Sequence, residues 1–525
     1  MGYWAQPPVP RDQMVLFATT LEERISEDHP VRLLQELLAG RDWSGWEAHY
    51  CRLAGQPAIH PSIVAGAILY GLSQGIRSSR RLEWVCENSI DLMWLIEGRH
   101  IDHSTFCKFR TRFESELKDL FKQVIKLALG MGLVRFNQVG LDGTKVKANS
   151  SGNATVTAAT LEERSAALNQ QIDEMFAQIA RKDAQDQDMW GDHHSPTHLP
   201  RELADMKKRL AAMEKALEMA RATDLRRSQR SEGPKEKKAA KVAVADPEAP
   251  VLPNKEGGHA PNYTPLAATD GHKDFIVDAD VYSTEPEGTA ALPTVDRIEE
   301  NFGAMPEQLL ADTTFATGQN LEGLESRGVE AIMPVEATRL DEKNPVRRPD
   351  PRVPVAEADW PKLPRNSHHQ LDRAAFVYDA AQDCYYCPMG RRLEPGKQTH
   401  KQHHQGESVY QHYRAVDCSG CPLAGECLGK KSKQRTVARD QYEPQRERLA
   451  ARMAQPEKRR CYGRRAWMAE TVNAVIKGHM GMRQFLLRGL QKVRMEWLWI
   501  CSAFNIRKLI QEVAALRARF AAAVG

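Results

Sequence analysis

Three carboxylates in this chain have neighbours that could turn them to chemistry. Asp142 lies in Phe136-Asn-Gln-Val139-Gly-Leu141-Asp142-Gly-Thr144, and Asp312 closes Leu309-Leu-Ala-Asp312. Glu470 sits in Tyr462-Gly-Arg-Arg465-Ala-Trp-Met-Ala-Glu470-Thr-Val-Asn473-Ala-Val-Ile-Lys477. Val139 and Leu141 alternate as a half-buried strand does, and an acid embedded there is costly to desolvate unless paired or bound to metal. Asp312 ends a short strand, where open α/β sheets present their ligand sites. At about 100° per residue, Glu470, Asn473 and Lys477 share one helical face, while Val472, Val475 and Ile476 form a packing face. An acid and a base two turns apart are too distant for an adjacent-turn ion pair, but they can face a common phosphate. Hard oxygen ligands suit Mg2+ or Mn2+. Three carboxylates holding two such ions make a phosphoryl-transfer site, one ion at the attacking oxygen and one at the leaving oxygen. Lys477 and Arg465 would position phosphates. The sequence has no P-loop, no GxGxxG and no nearby Ser/His/Asp order that would favour another chemistry.

The elements that must hold these residues are legible in outline. Residues 1–135 form a helical N-terminal region, with basic clusters at Arg77-Ser-Ser-Arg80-Arg81 and at Lys108, Arg110 and Arg112. The second cluster follows Ser104-Thr105 at an N-cap position, which suits a helix approaching DNA or a capped surface helix with a basic side. Residues 136–157 supply the first strand. Over 158–225, Leu161, Ser165, Leu168, Ile172 and Met175, then Leu203, Met206, Leu210, Met213 and Leu217, step by threes and fours, as in an antiparallel helical hairpin. Its connecting loop holds His193, His194 and His198, either a polar loop or a metal site. Residues 226–255 are charged and Pro/Ala-rich, a flexible linker by composition. Over 256–334 come two strands around Asp270-Gly271, then helix, strand, helix and strand, an α/β pattern. Residues 441–525 carry the Glu470 helix and closing helices.

Residues 335–440 are rich in Pro, His and Cys with little regular periodicity. They contain Cys384-x2-Cys387 and Cys418-x2-Cys421-x5-Cys427. Paired C-x2-C spacing outside an oxidising compartment argues for structural Zn2+ before disulfides, the other reading being free thiols. Cys387, Cys418, Cys421 and Cys427 make one set of four, with Cys384 as the alternative ligand. Cys51, Cys86, Cys107, Cys461 and Cys501 are isolated and read as small buried hydrophobes. The 525 residues, 42% hydrophobic, suffice for several cores, and no apolar run is long enough to span a bilayer. The N-terminus lacks signal-peptide character, which leads us to expect a cytoplasmic protein, associated with the nucleoid when on DNA. Formal net charge is only +4, but residues 221–241 hold eight Lys/Arg against three Asp/Glu, and residues 455–510 twelve against three. Such concentrated positive charge points to a polyanion partner.

At this point the chain resembles a known family. Gly140-Leu-Asp142-Gly-Thr, Leu310-Ala-Asp312 and Tyr462-x2-Arg465-x4-Glu470-x6-Lys477 look like the three catalytic blocks of DDE insertion-sequence transposases. Gly489-Leu-Gln-Lys-Val493-Arg and Asn505-Ile-Arg-Lys-Leu509 resemble the family's closing helices, and the cysteine segment resembles an insertion found in one branch. The sequence departs from the usual pattern after Asp312, which is followed by Thr-Thr-Phe, and after Glu470, which is followed by Thr-Val-Asn-Ala. The resemblance implies a ribonuclease-H-like α/β catalytic core, with a helical DNA-binding domain, a helical-hairpin insertion and a Cys-rich insertion. It further implies Asp142, Asp312 and Glu470 as Mg2+ or Mn2+ ligands, and cutting and rejoining of DNA at terminal inverted repeats by an oligomer.

Overall fold

The computed structural model describes residues 20–50, 57–190, 201–229, 238–253, 257–335, 344–403, 406–429 and 432–524. His193, His194, His198 and Cys51 lie outside the described residues. At its centre is a mixed sheet whose middle strand is Gln138–Gly143. On one side that strand pairs antiparallel with His259–Asp270, which pairs antiparallel with Ile276–Tyr282. On the other side it pairs parallel with Gln308–Leu310, which pairs parallel with Glu330–Ile332. The parallel connections run through helices Ala291–Phe302 and Gly318–Ser326, as parallel pairing requires. The central strand is buried at Val139, Gly140 and Leu141, because helices cover both faces.

Helix Pro456–Ala474 lies on one face of this sheet with Met468 and Val472 buried. Gly140 of the central strand is what lets it approach, since a Cβ there would come within 2.9 Å of Met468 Cε. A π-helical turn, Val475–His479, follows it and carries Lys477. The long closing helix Leu490–Val524 packs between the sheet and the N-terminal helices. Asn505 on it exchanges hydrogen bonds with the backbone of Ile276 at 2.9 and 2.8 Å, effectively completing the edge strand. Trp46, Phe109, Phe113 and Trp499 form an aromatic cluster that joins helix His103–Arg112 to the closing helix. The N-terminal helices and the sheet therefore share one continuous hydrophobic core.

Helices Ala158–Trp190 and Arg201–Gln229 run antiparallel. Arg221 pairs with Glu162 at one level, and Lys207 lies over the Phe176 ring at another. Within 226–255, where composition suggested a linker, Lys241–Ala243 instead pairs with Thr155–Thr157 and buries Val242 against Leu161 and Ala216. Apolar residues at 240, 242, 243 and 249 give that short stretch something to bury, which overrides its polar average. Residues 335–440 also differ from expectation. They contain a five-stranded antiparallel sheet, in order Val377–Asp379, Cys384–Tyr386, Arg392–His403, Gly406–Ala415 and Thr436–Asp440. Its longest strand, Arg392–His403, is polar and largely exposed, and Gly406–Ala415 is mostly polar and half-buried, so no period of two in hydrophobicity announces them. Of the isolated cysteines, Cys86 and Cys501 are buried as expected and Cys107 is exposed. No helix among the described residues is long and apolar enough to cross a membrane.

Candidate active site

Register brings the two aspartates together. Gly140 pairs with Leu310 across the parallel strands, so Asp142 and Asp312 each lie two residues further on, at neighbouring C-terminal ends. Arg465 from helix Pro456–Ala474 joins them. Its guanidinium is 2.6 Å from Asp142 Oδ1 and 3.8 Å from Asp312 Oδ2. Asn473, two turns on, donates to Asp142 Oδ2 at 3.3 Å. Asp312 caps a short turn by accepting from the Thr314 N–H at 2.8 Å, which fixes one carboxylate oxygen and leaves the other toward Arg465. Both positions where the sequence departs from the family pattern thus touch an aspartate. Lys477 donates to the Thr144 hydroxyl and, at 3.4 Å, to the Lys145 carbonyl, placing an ammonium two residues beyond Asp142.

Glu470 occupies the same helix but is exposed, with no hydrogen bond or ion pair among the described residues. The three carboxylates are not gathered within 4.8 Å of one another. The described residues do contain one group gathered that closely, Glu83, Asp102 and His103, on the N-terminal helices. It is internally satisfied: His103 Nδ1 lies 2.9 Å from Glu83 and 3.2 Å from Asp102, which also caps its helix.

A fourth acid, Glu287, escaped the sequence reading. It follows Pro286 in a short 3-10 turn after strand Ile276–Tyr282, half-buried, and a Cβ on Gly143 would collide with its carboxylate. Burial pushes its carboxyl up to about 7, and the charges of Asp312 and Asp142 push in the same direction. No spacing signal marks Glu287, because the strands between it and Asp142 fold back on themselves. Asp142, Asp312 and Glu287 offer carboxylate oxygens of the kind divalent cations take, and in this structure the Arg465 guanidinium lies between the two aspartates.

The basic residues expected to meet DNA divide into two groups. Arg77, buried to 12% exposure, donates to the Gly481 and Gln484 carbonyls and pairs with Glu496 at 2.7 Å. Arg110 donates to the Arg77 carbonyl, and Arg112 donates to the His49 carbonyl while lying over the Tyr50 and Phe113 rings. Arg77 and Arg110 are thus engaged within the fold, whereas Arg112 keeps an exposed side chain despite its bond to the His49 carbonyl. Sequence shows the charge but not the carbonyls waiting for it. Arg80, Arg81 and Lys108 are exposed, and Trp84 beside the first two is 62% exposed.

Two segments of the chain match transposase families. Residues 386–510 match the Transposase DDE domain, and residues 19–112 match a Transposase domain (DUF772). These matches support a DDE insertion-sequence transposase. The first spans Arg465, Glu470 and Lys477, and Asp142 and Asp312 lie between the two segments. Among curated proteins no match is found.

Proposed function

We propose that this protein is an active DNA transposase that binds the terminal inverted repeats of its element, cleaves there and joins the freed ends to target DNA. The observation that carries this reading is the adjacency of Asp142 and Asp312 under Arg465, on the helix that also bears Glu470 and Lys477. The strand order supports it: a central strand, an antiparallel hairpin on one side and two parallel strands on the other is the order of a ribonuclease-H-like core.

Asp142 and Asp312 would hold Mg2+ or Mn2+, with Glu470 completing the set by a change of rotamer on its exposed face. Divalent ions there supply the charge that stabilises the attacking and leaving oxygens of the phosphodiester. The chain's own residues do the rest. Arg465 neutralises the aspartates and can turn to a phosphate oxygen, Lys477 fixes the DNA backbone beside Thr144, and Asn473 orients Asp142. Water attacks the phosphodiester at the element end, releasing a 3′-hydroxyl, which then attacks target DNA at the same site. Arg80, Arg81 and Lys108 read or grip the repeat. Synapsis of two ends requires more than one protomer, so the working species is an oligomer on DNA.

Cleavage of the element's end DNA with Mg2+ or Mn2+ tests this. Asp142→Ala and Asp312→Ala should each reduce the rate by at least about 10²-fold, since charge stabilisation at such a site is worth several kcal/mol. Wild-type cleavage no faster than Asp142→Ala would sink the enzyme reading. The exposed, unpartnered Glu470 favours a second reading, a DNA-binding relative that does not cut, and in that case end binding would survive while cleavage is absent. Strand transfer from pre-cut ends separates a transposase from a plain nuclease.

A further inference from the structure

The geometry points to a structural zinc site in the Cys-rich module, formed by Cys387, Cys418, Cys421 and Cys427 and excluding Cys384. Alternation along the strand decides between the two candidates. Side chains of successive strand residues point to opposite faces, so Cys384 shares a face with Tyr386, and Tyr385 faces the other way. Cys384 and Tyr386 do interact. Tyr385 belongs to the module's small core, as does Cys427, and Cys387, Cys418 and Cys421 pack against that same core. Cys384 is fully buried but on the far face.

The four thiols come from two tight turns and the end of a short helix. After Cys387 the chain reverses through Pro-Met-Gly390, with the Gly390 N–H bonded to the Cys387 carbonyl and the Cys387 N–H to the Arg391 carbonyl, both at 2.9 Å. The Met389 and Arg391 N–H groups point at the Cys387 sulfur. Cys418 and Cys421 span a second tight turn, and Cys427 ends the short helix that follows. The Cys427 thiol lies within electrostatic reach of the other three. No three of these sulfurs are gathered within 4.8 Å, whereas tetrahedral Zn–S bonds of about 2.3 Å need sulfurs about 3.8 Å apart. Binding would therefore draw the turns together, and the ion would replace the thiol protons, which pass to water.

A separate observation concerns charge. Zinc with four thiolates carries a net charge of −2, expensive to bury without compensation. Arg348 donates to the Cys387 carbonyl at 3.2 Å and Arg435 to the Cys427 carbonyl at 3.0 Å. Neither guanidinium pairs with a carboxylate among the described residues, and Arg435 has a buried Nε with no partner. Two cations are thus placed against the ligand-bearing turns, Arg435 without a carboxylate partner and Arg348 with Asp350 in electrostatic reach, and they offset the charge of the zinc–thiolate centre.

The full chain, purified without chelator, should carry one equivalent of zinc by elemental analysis. Cys387→Ser, Cys418→Ser, Cys421→Ser and Cys427→Ser should each lower that to about a tenth or less, and Cys384→Ser and Asp142→Ala should leave it unchanged. Because a serine variant could simply fail to fold, the wild-type chain is also exchanged into Co2+. Intense tetrahedral d–d bands with thiolate charge transfer are the expected spectrum. A zinc-free wild-type chain with four freely titrating thiols, an octahedral cobalt spectrum, or zinc lost only in Cys384→Ser would overturn the assignment.

Discussion

Glu287 is an acid placed where an added negative charge is least welcome. Its carboxyl titrates near 7, raised by burial and then by Asp312 and Asp142. A group whose folded pKa exceeds its unfolded value stabilises the fold fully below the unfolded pKa, and that contribution is lost as pH rises through the folded one. In EDTA, wild-type thermal stability should therefore fall relative to Glu287→Gln between about pH 4.5 and pH 7. Parallel melting curves for the two proteins across that window would refute the placement. The arginines allow a sharper contrast. Arg77→Ala removes one partner of a buried ion pair and should cost about 3–5 kcal/mol, seen as a large drop in melting temperature. Arg80→Ala and Arg81→Ala should melt as wild type yet weaken DNA binding and reduce the salt slope by about one each. Equal effects from Arg77→Ala and Arg80→Ala on both readouts would contradict this division. The aspartates could be read from sequence because an acid inside an apolar strand needs a reason to be there. Glu287 and the inward turn of Arg77 could not, since both depend on what distant segments bring alongside.

At the scale of elements, the turn that carries Lys477 is docked on the N-terminal helices. His479 Nε2 bonds the Ser73 carbonyl at 2.8 Å, and Gly75, at φ 78°, lies where a Cβ would come within 2.7 Å of the His479 carbonyl oxygen. Gly75→Ala meets both a left-handed backbone and a rigid obstacle. It should destabilise by about 1–3 kcal/mol and slow cleavage beyond its effect on DNA affinity, by shifting Lys477. A variant with unchanged melting and cleavage would show that this contact does not set the turn. The sequence conveyed the Glu470 helix, the helical hairpin and the α/β succession through local patterns: Val472 and Ile476 on one packing face, apolar residues stepping by threes and fours, and the Asp270-Gly271 turn between two strands. It did not convey the sheet over residues 377–440, whose strands, such as Arg392–His403, are polar on both faces. Nor did it convey that Lys241–Ala243 leaves an apparent linker to pair with Thr155–Thr157.

At the scale of the whole molecule, the N-terminal helices and the sheet bury one continuous core, with the closing helix and its tryptophans wedged between them. Surfaces joined this way cannot swing independently at ordinary energetic cost. Arg80, Arg81 and Lys108 are consequently held at a constant separation from Asp142 and Asp312. On the proposed function the protein is then a calliper. Grip on the repeat at one jaw determines, by span alone, which phosphodiester reaches the other. Base pairs inserted between the gripped sequence and the scissile bond should move the cut into the insertion rather than with the original end.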